Sequence, residues 1–341
     1  MHHACLALVL SFMASCAAAF EIENHRHYPG SGERVLRIVS TADLDVFDPY
    51  LNAFQARQPT LSIDYTVVSS ADLYGAIRDG ASFDLALSSA MDLQFQLAND
   101  GYAQSHRSEQ TAALPDWARW RDLIFAFTAE PAVLVLSSRR FEGLDPPTTR
   151  QELIALLRQH PDRFDDAVGT YDVRVSGLGY LFATQEARST DAYWRLSEVM
   201  GRLNPQLYCC SGKMIDDVVT GRLALAHNVL GSYAAERLAR NSEGQVQILM
   251  MEDFANVMLR TALIPSTAQE TAAAGALIDM LATLGLRETP EDWPLPPLSQ
   301  QGVHDATGFG PIRLGPALMV YLDPLNRRAF LTEWENAMEQ R

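Results

Sequence analysis

From Arg34 onward short apolar β runs alternate with helical stretches, and this alternation limits the possible fold more than any other feature of the chain. Residues 35–39 form a β run, and Leu44, Phe47, Leu51 and Phe54 follow at helical spacing until Pro59 ends the pattern. Residues 62–68 alternate as a second strand and lead to a short helix through Leu73 and Ile77. A third strand at 83–87 precedes a helix over 92–99. Repeated β–α units predict a mostly parallel sheet with helices on both faces. Such sheets bind ligands beyond the carboxyl ends of their strands.

The three strands run into hydroxyl pairs: Ser40 with Thr41, Ser69 with Ser70, and Ser88 with Ser89. Any one pair is accounted for by helix N-capping. Three pairs on one sheet edge gather hydroxyls and free helix N–H groups where an anion or polyol can be held.

Two apolar runs, 123–127 and 132–136, then flank Thr128, Ala129, Glu130 and Pro131. The proline suggests a crossing strand rather than a central one. A second β/α series follows, with a helix at 149–160, a strand at 167–171, and helices at 176–187, 190–203 and 211–220. A strand at 223–226 leads to a helix after Ser232. The apolar run 257–264 is expected to return the chain to the first lobe. Next come an Ala-rich helix at 267–285, a Pro-rich connection at 290–297 and a final helix at 323–338.

The 42 acidic residues against 27 basic ones leave a formal net charge of −15, which argues against nucleic acid as a partner. No apolar run in the body of the chain approaches the ~20 residues that span a bilayer. Residues 1–19 carry no Lys, Arg, Asp or Glu. They join a short apolar core to Ala17, Ala18 and Ala19, the pattern of a cleaved secretory signal. Met13 to Cys16 also fits a lipoprotein box, which would leave the chain lipid-anchored through Cys16. Both readings place the protein in the periplasm. Beyond Cys5 and Cys16 the only cysteines are the neighbours Cys209 and Cys210. Adjacent Cα atoms lie ~3.8 Å apart, closer than disulfides prefer. Two small buried thiols are therefore the simpler reading, and a redox pair the other.

Enzyme signatures are missing. There is no G-x-S-x-G, no H-E-x-x-H and no phosphate-binding P-loop, since Gly212 and Lys213 are followed by Met214. No catalytic residue, metal ligand or cofactor is assigned.

Several segments together resemble the type II periplasmic solute-binding proteins of ABC transporters. The matching branch is the one with ferric-iron, hexose-phosphate, phosphoglycerate and aminophosphonate binders. They are 83–93 (FDLALSSAMDL), 99–103 (NDGYA), Thr128 to Pro131, Thr170 to Asp172 with 176–179 (SGLG), Ser211 to Met214, and 226–233 (AHNVLGSY). The resemblance covers about 34–338. It implies two α/β lobes, each a mostly parallel sheet flanked by helices, with a ligand cleft between them. Lobe 1 would comprise 34–128 plus 265–341 and lobe 2 would comprise 132–257, with hinge crossings near 128–132 and 257–265. It also implies a monomer that delivers a small-molecule ligand to a membrane permease or a sensor histidine kinase.

The iron binders of this branch place two adjacent tyrosines where this chain has Ser232 and Tyr233. A small anionic, phosphorylated organic solute is accordingly the first expectation. Ferric iron is the alternative, and an exported enzyme the alternative of another class. The expected ligand-binding residues are Thr41, Ser70 and Ser89 on one side and Glu130 at the crossing close to the cleft. On the other they are Ser176, Gly177, Ser211, Gly212, Asn228 and Tyr233. Lys213 and Arg174 are candidate cations, each equally explicable as a solvated side chain.

Overall fold

The computed structural model describes residues 20–240, 245–287, 293–298 and 311–340. The expected signal segment, with Cys5 and Cys16, and part of the Pro-rich connection lie outside the described residues.

The first half builds β1 (Ile22–Tyr28), β2 (Val35–Ser40), α1 (Leu44–Arg57), β3 (Ser62–Val68), α2 (Ser70–Arg78), β4 (Leu85–Ser88) and α3 (Met91–Asn99). β2 pairs in parallel with both β3 and β4, as the β–α alternation requires, and β1 adds an antiparallel edge to β3. On β1 the solvent-exposed His27 places Nδ1 2.7 Å from an oxygen of Asp64 on β3. Phe47 of α1 stacks on Tyr65 of β3, with ring centroids 5.5 Å apart, and closes the core beneath the helix.

Two short strands, β5 (Ala103–Gln104) and β6 (Arg119–Trp120), flank the small helix α4 (Glu109–Ala112) and lead into β7 (Ile124–Ser137). The two apolar runs around Pro131 are thus one uninterrupted strand. β8 (Val168–Tyr171), β9 (Gln206–Tyr208), β10 (Leu225–Leu230) and β11 (Val246–Leu249) form the second half. They are accompanied by α5 (Arg150–Gln159), α6 (Pro161–Phe164), α7 (Gly177–Ser189), α8 (Ala192–Gly201), α9 (Ser211–Val219) and α10 (Gly231–Arg240). β8 pairs in parallel with β9 and β10. β12 (Val257–Pro265) then runs antiparallel to β7 from Val257↔Pro131 to Ala262↔Phe125. The central order is β1-β3-β2-β4-β12-β7-β10-β8-β9, so the two long strands join a parallel unit on each side. The fold is a two-lobed α/β architecture.

The chain closes with α11 (Thr271–Gly285) and α12 (Pro324–Met338). α11 packs on β7 and β12, beside the first half. The last helix departs from expectation: α12, assigned above to lobe 1, packs against α8 of the second half. Phe330, Trp334 and Met338 are buried in one cluster with Tyr180, Tyr193 and Leu196. The approach is close. A Cβ on Gly201 would stand 2.0 Å from the carbonyl oxygen of Ala337, so only glycine lets α8 and α12 meet this way. The apolar face of a C-terminal helix does not specify which of two lobes it will cover.

Candidate functional site

The carboxyl ends of both parallel units face one cavity of about 510 Å³, its open mouth included. The first half supplies Thr41 after β2, Val68, Ser69 and Ser70 where β3 gives way to α2, and Ser89 after β4. The second half supplies Tyr171 at the end of β8, Cys209 and Cys210 after β9, and Leu230 at the end of β10. Ser176, the N-cap of α7, and Ser211 and Gly212, the first residues of α9, complete that side with Tyr233 of α10.

Hydrogen-bond accounting shows what these hydroxyls offer. Ser176 Oγ accepts from the Gly179 N–H at 3.1 Å, and Ser70 Oγ accepts from the Gly177 N–H at 3.1 Å. Ser211 Oγ accepts from the Leu230 N–H at 3.4 Å and also pairs with the Tyr171 hydroxyl. A hydroxyl that accepts from the backbone still has its own proton to donate. Ser70 and Ser176 are such groups at the starts of α2 and α7, and Ser211, which shares its hydroxyl bond with Tyr171, stands at the start of α9; unsatisfied N–H groups at these helix starts carry partial positive charge. Thr41 Oγ1 accepts from the Ser89 N–H at 3.0 Å, which ties the ends of β2 and β4 together.

Two bonds cross the cavity. The Gly177 N–H reaches Ser70 Oγ, and the Asp43 N–H reaches the Tyr233 hydroxyl at 3.0 Å. Both join the first half of the chain to the second across the cavity.

Two carboxylates line the cavity as well. Asp43, half-buried at the N-cap of α1, makes no capping bond. Among the described residues no group hydrogen-bonds or ion-pairs with its carboxylate. Burial raises its pKa, Arg237 and then Arg260 offset part of the rise, and Asp45 and Glu236 add smaller repulsion. Glu23, on β1, is also raised, first by burial and then by Asp43, Asp72 and Glu21. No Lys or Arg is among the lining residues. Lys213 bonds Asp217 at 2.6 Å, and Arg174 is held by Asp172 at 2.8 Å and Glu339 at 2.6 Å. Arg237, beyond Gly212, engages Asp216 at 3.1 Å.

Seven expected residues come together at this cavity: Thr41, Ser70, Ser89, Ser176, Ser211, Gly212 and Tyr233. Three do not. Glu130 is fully buried where β7 crosses, with its carboxylate bound to Arg260 at 2.9 Å and to Ser232 Oγ at 2.5 Å. A charge in that position needs an internal partner, and Arg260 fills the role a ligand would have taken. Asn228 adopts φ 60° and turns its Nδ2 toward Glu186 at 2.7 Å, beside a separate small cavity. Gly177 gives its N–H to Ser70 and lines a neighbouring cavity of about 700 Å³ instead.

The cysteines also differ from expectation. Cys209 and Cys210 are disulfide-bonded to each other, with Cys209 exposed in the cavity wall rather than buried as a thiol. Glu23, Asp43 and Tyr171 were not anticipated. Tyr171 closes a β run and so carried a positional signal, whereas an acidic N-cap and an edge-strand glutamate read as ordinary solvated groups.

No family model and no curated sequence matches the chain. Solved structures do. The chain is 30% identical to the substrate-binding protein of an ABC transporter from Agrobacterium tumefaciens, covering 94% of this chain and 100% of that one with a TM-score of 0.86. It belongs to the substrate-binding proteins of ABC transporters, a family of transport proteins rather than enzymes. The periplasmic binding protein AfuA from Actinobacillus pleuropneumoniae, solved with fructose-6-phosphate, shares the fold at TM-score 0.70 and 12% identity over 91% of this chain and 100% of that one. Iron-bound HitA from Pseudomonas aeruginosa does so at TM-score 0.66 and 13% identity over 89% of this chain and 99% of that one.

Proposed function

We propose that this chain captures a small organic anion, phosphorylated in the favoured case, in the cavity between its lobes and presents it to an ABC permease. One observation carries the reading. The starts of α2, α7 and α9, each bearing a serine hydroxyl, converge on one cavity from both halves. Backbone N–H groups and hydroxyls hold an oxyanion without a lysine or arginine.

In this account 34–128 and 265–287 form the first lobe. The second is 132–257 capped by α12, and the hinges lie near 128–132 and 257–265. A ligand touching both lobes favours the closed arrangement because it contacts the open one less. Export through residues 1–19 would place the chain in the periplasm. Release there or anchoring through Cys16 would leave the cavity unchanged, and delivery to a sensor histidine kinase would use the same closed form.

Ferric iron is a second reading with a specific foothold, since Tyr171, Tyr233, Asp43 and Glu23 bring hard oxygen donors to the same cavity. Burial pushes both phenols well above their ordinary pKa, which opposes the phenolate that iron requires.

Thermal scans of the purified protein with phosphorylated metabolites and with ferric citrate separate the readings. A metabolite recovered unchanged at 100 times its Kd should add about 2.7 kcal/mol of stability. Ser176→Ala should weaken that binding ten- to a hundredfold, as expected for a lost bond to a charged group worth about 1.5–3 kcal/mol. A tyrosinate-to-iron colour band with no metabolite shift would favour iron, and conversion of the metabolite would exclude a pure binding role.

A further inference from the structure

The neighbouring cavity of about 700 Å³ carries two unmet polar demands. α2 and α3 of the first half close one side of it, and α7 and α12 close the other. Leu93, Val173, Leu322 and the rings of Tyr74 and Tyr180 give it apolar surface. Asp92 stands in that wall only 2% exposed, and its Oδ1 has no hydrogen-bond partner among the described residues. Burial pushes its pKa up to about 7, as expected of a carboxyl without a paired charge. Half-buried Arg327 rests 4.6 Å over the Tyr180 ring and makes no ion pair among the described residues. Arg174, in the same wall, is already held by Asp172 and Glu339. A buried acceptor without a donor is costly, and a ligand group that donates to it removes the cost.

We infer that this cavity is a second ligand site and that it takes a small hydroxycarboxylate with an apolar body. The carboxylate pairs with the Arg327 guanidinium, and the hydroxyl donates to Asp92 Oδ1. A carboxyl oxygen accepts such a bond whether or not the group is ionised. A plain carboxylate would satisfy Arg327 and leave Asp92 without a donor, and a plain alcohol would do the reverse. The site is separate from the serine-lined cavity. Ser70 lines that one and Gly177 lines this one, so the bond between them stands at the partition. The inference does not depend on what the serine-lined cavity holds.

Calorimetric titration tests this with mandelate and 4-hydroxyphenylacetate. Each is set against phenylacetate, which lacks the hydroxyl, and against its own amide, which lacks the charge. At least one hydroxy acid should bind about tenfold or more tighter than both references. Arg327→Gln should erase the advantage over the amide. Asp92→Leu, which removes the acceptor at similar volume, should erase the advantage over phenylacetate. Arg327→Gln alters a half-buried side chain with no ion pair to break, so it decides the matter even where Asp92→Leu fails to fold. Excess glucose 6-phosphate should not weaken binding of the hydroxy acid. Displacement by glucose 6-phosphate, or an affinity unchanged in Arg327→Gln, would put the acid elsewhere and overturn the inference. So would the failure of both hydroxy acids to outbind their references, a result that leaves the anion reading of the serine-lined cavity standing.

Discussion

The backbone N–H of Gly177, at the start of α7, donates to the side-chain oxygen of Ser70, at the start of α2, across 3.1 Å of cleft. Ser70 opens a first-half helix and Gly177 opens a second-half helix, so in the proposed two-lobe account this bond is made only while the lobes are together. A Cβ on Gly177 would lie 2.7 Å from Ser70 Oγ, so no other residue allows the approach without displacement.

Ser70→Ala should therefore shift the ligand-free protein toward an open form. Losing about 1 kcal/mol of cross-cleft bonding changes the closed-to-open ratio roughly fivefold. Small-angle scattering should report a larger radius of gyration for the variant than for wild type, and identical profiles would mean the bond does not hold the cleft.

At the crossing, Glu130→Gln should be strongly destabilising. It leaves the fully buried Arg260 guanidinium, whose Nη1 already has no partner, without its only ion pair among the described residues. Breaking one side of such a pair costs roughly 3–5 kcal/mol. Urea midpoints at constant m-value read the loss, and a cost below about 1 kcal/mol would show that the pair is dispensable.

Asp92, buried at the start of α3, has its pKa pushed up to about 7 by burial, against the pull of the Leu93 N–H, its own N–H and Arg327. Its folded pKa exceeds the unfolded value of ~3.9, so the stability it contributes is present at low pH and is lost as pH rises through 7. Asp92→Asn cannot titrate and should lose less over that range. The gap between variant and wild type should grow by up to about 4 kcal/mol from pH 4 to pH 8, as read by urea denaturation. Parallel curves would contradict the assignment.

Reducing the Cys209–Cys210 disulfide should barely change global stability, because a bond between neighbours closes almost no loop. It lines the cavity beside Ser211, so ligand affinity should fall instead. Thermal scans and titrations with and without a phosphine reductant separate the two effects. Equal loss of both would assign the disulfide a scaffolding role.

Much of the architecture was legible because period-2 and period-3.6 patterns are local. β2, β3, β4, α1 and α9 follow from their own residues, and hydroxyl pairs at strand ends marked Thr41, Ser70 and Ser89. What escaped depends on contacts distant in sequence. Whether Glu130 faces a ligand or Arg260 is decided 130 residues later by the register of β12. The close seat of α12 on α8 requires the missing Cβ of Gly201, about 135 residues earlier in the chain. The unpartnered state of Asp43 depends on everything that fails to reach it.

The most direct measurement is a crystal structure of the protein grown with the tightest-binding phosphorylated probe. The account predicts the oxyanion within hydrogen-bond distance of Ser176 and Ser211 and of the first N–H groups of α9, between the two lobes. Density for the probe in the neighbouring cavity beside Asp92 and Arg327, or outside the cleft, would contradict it.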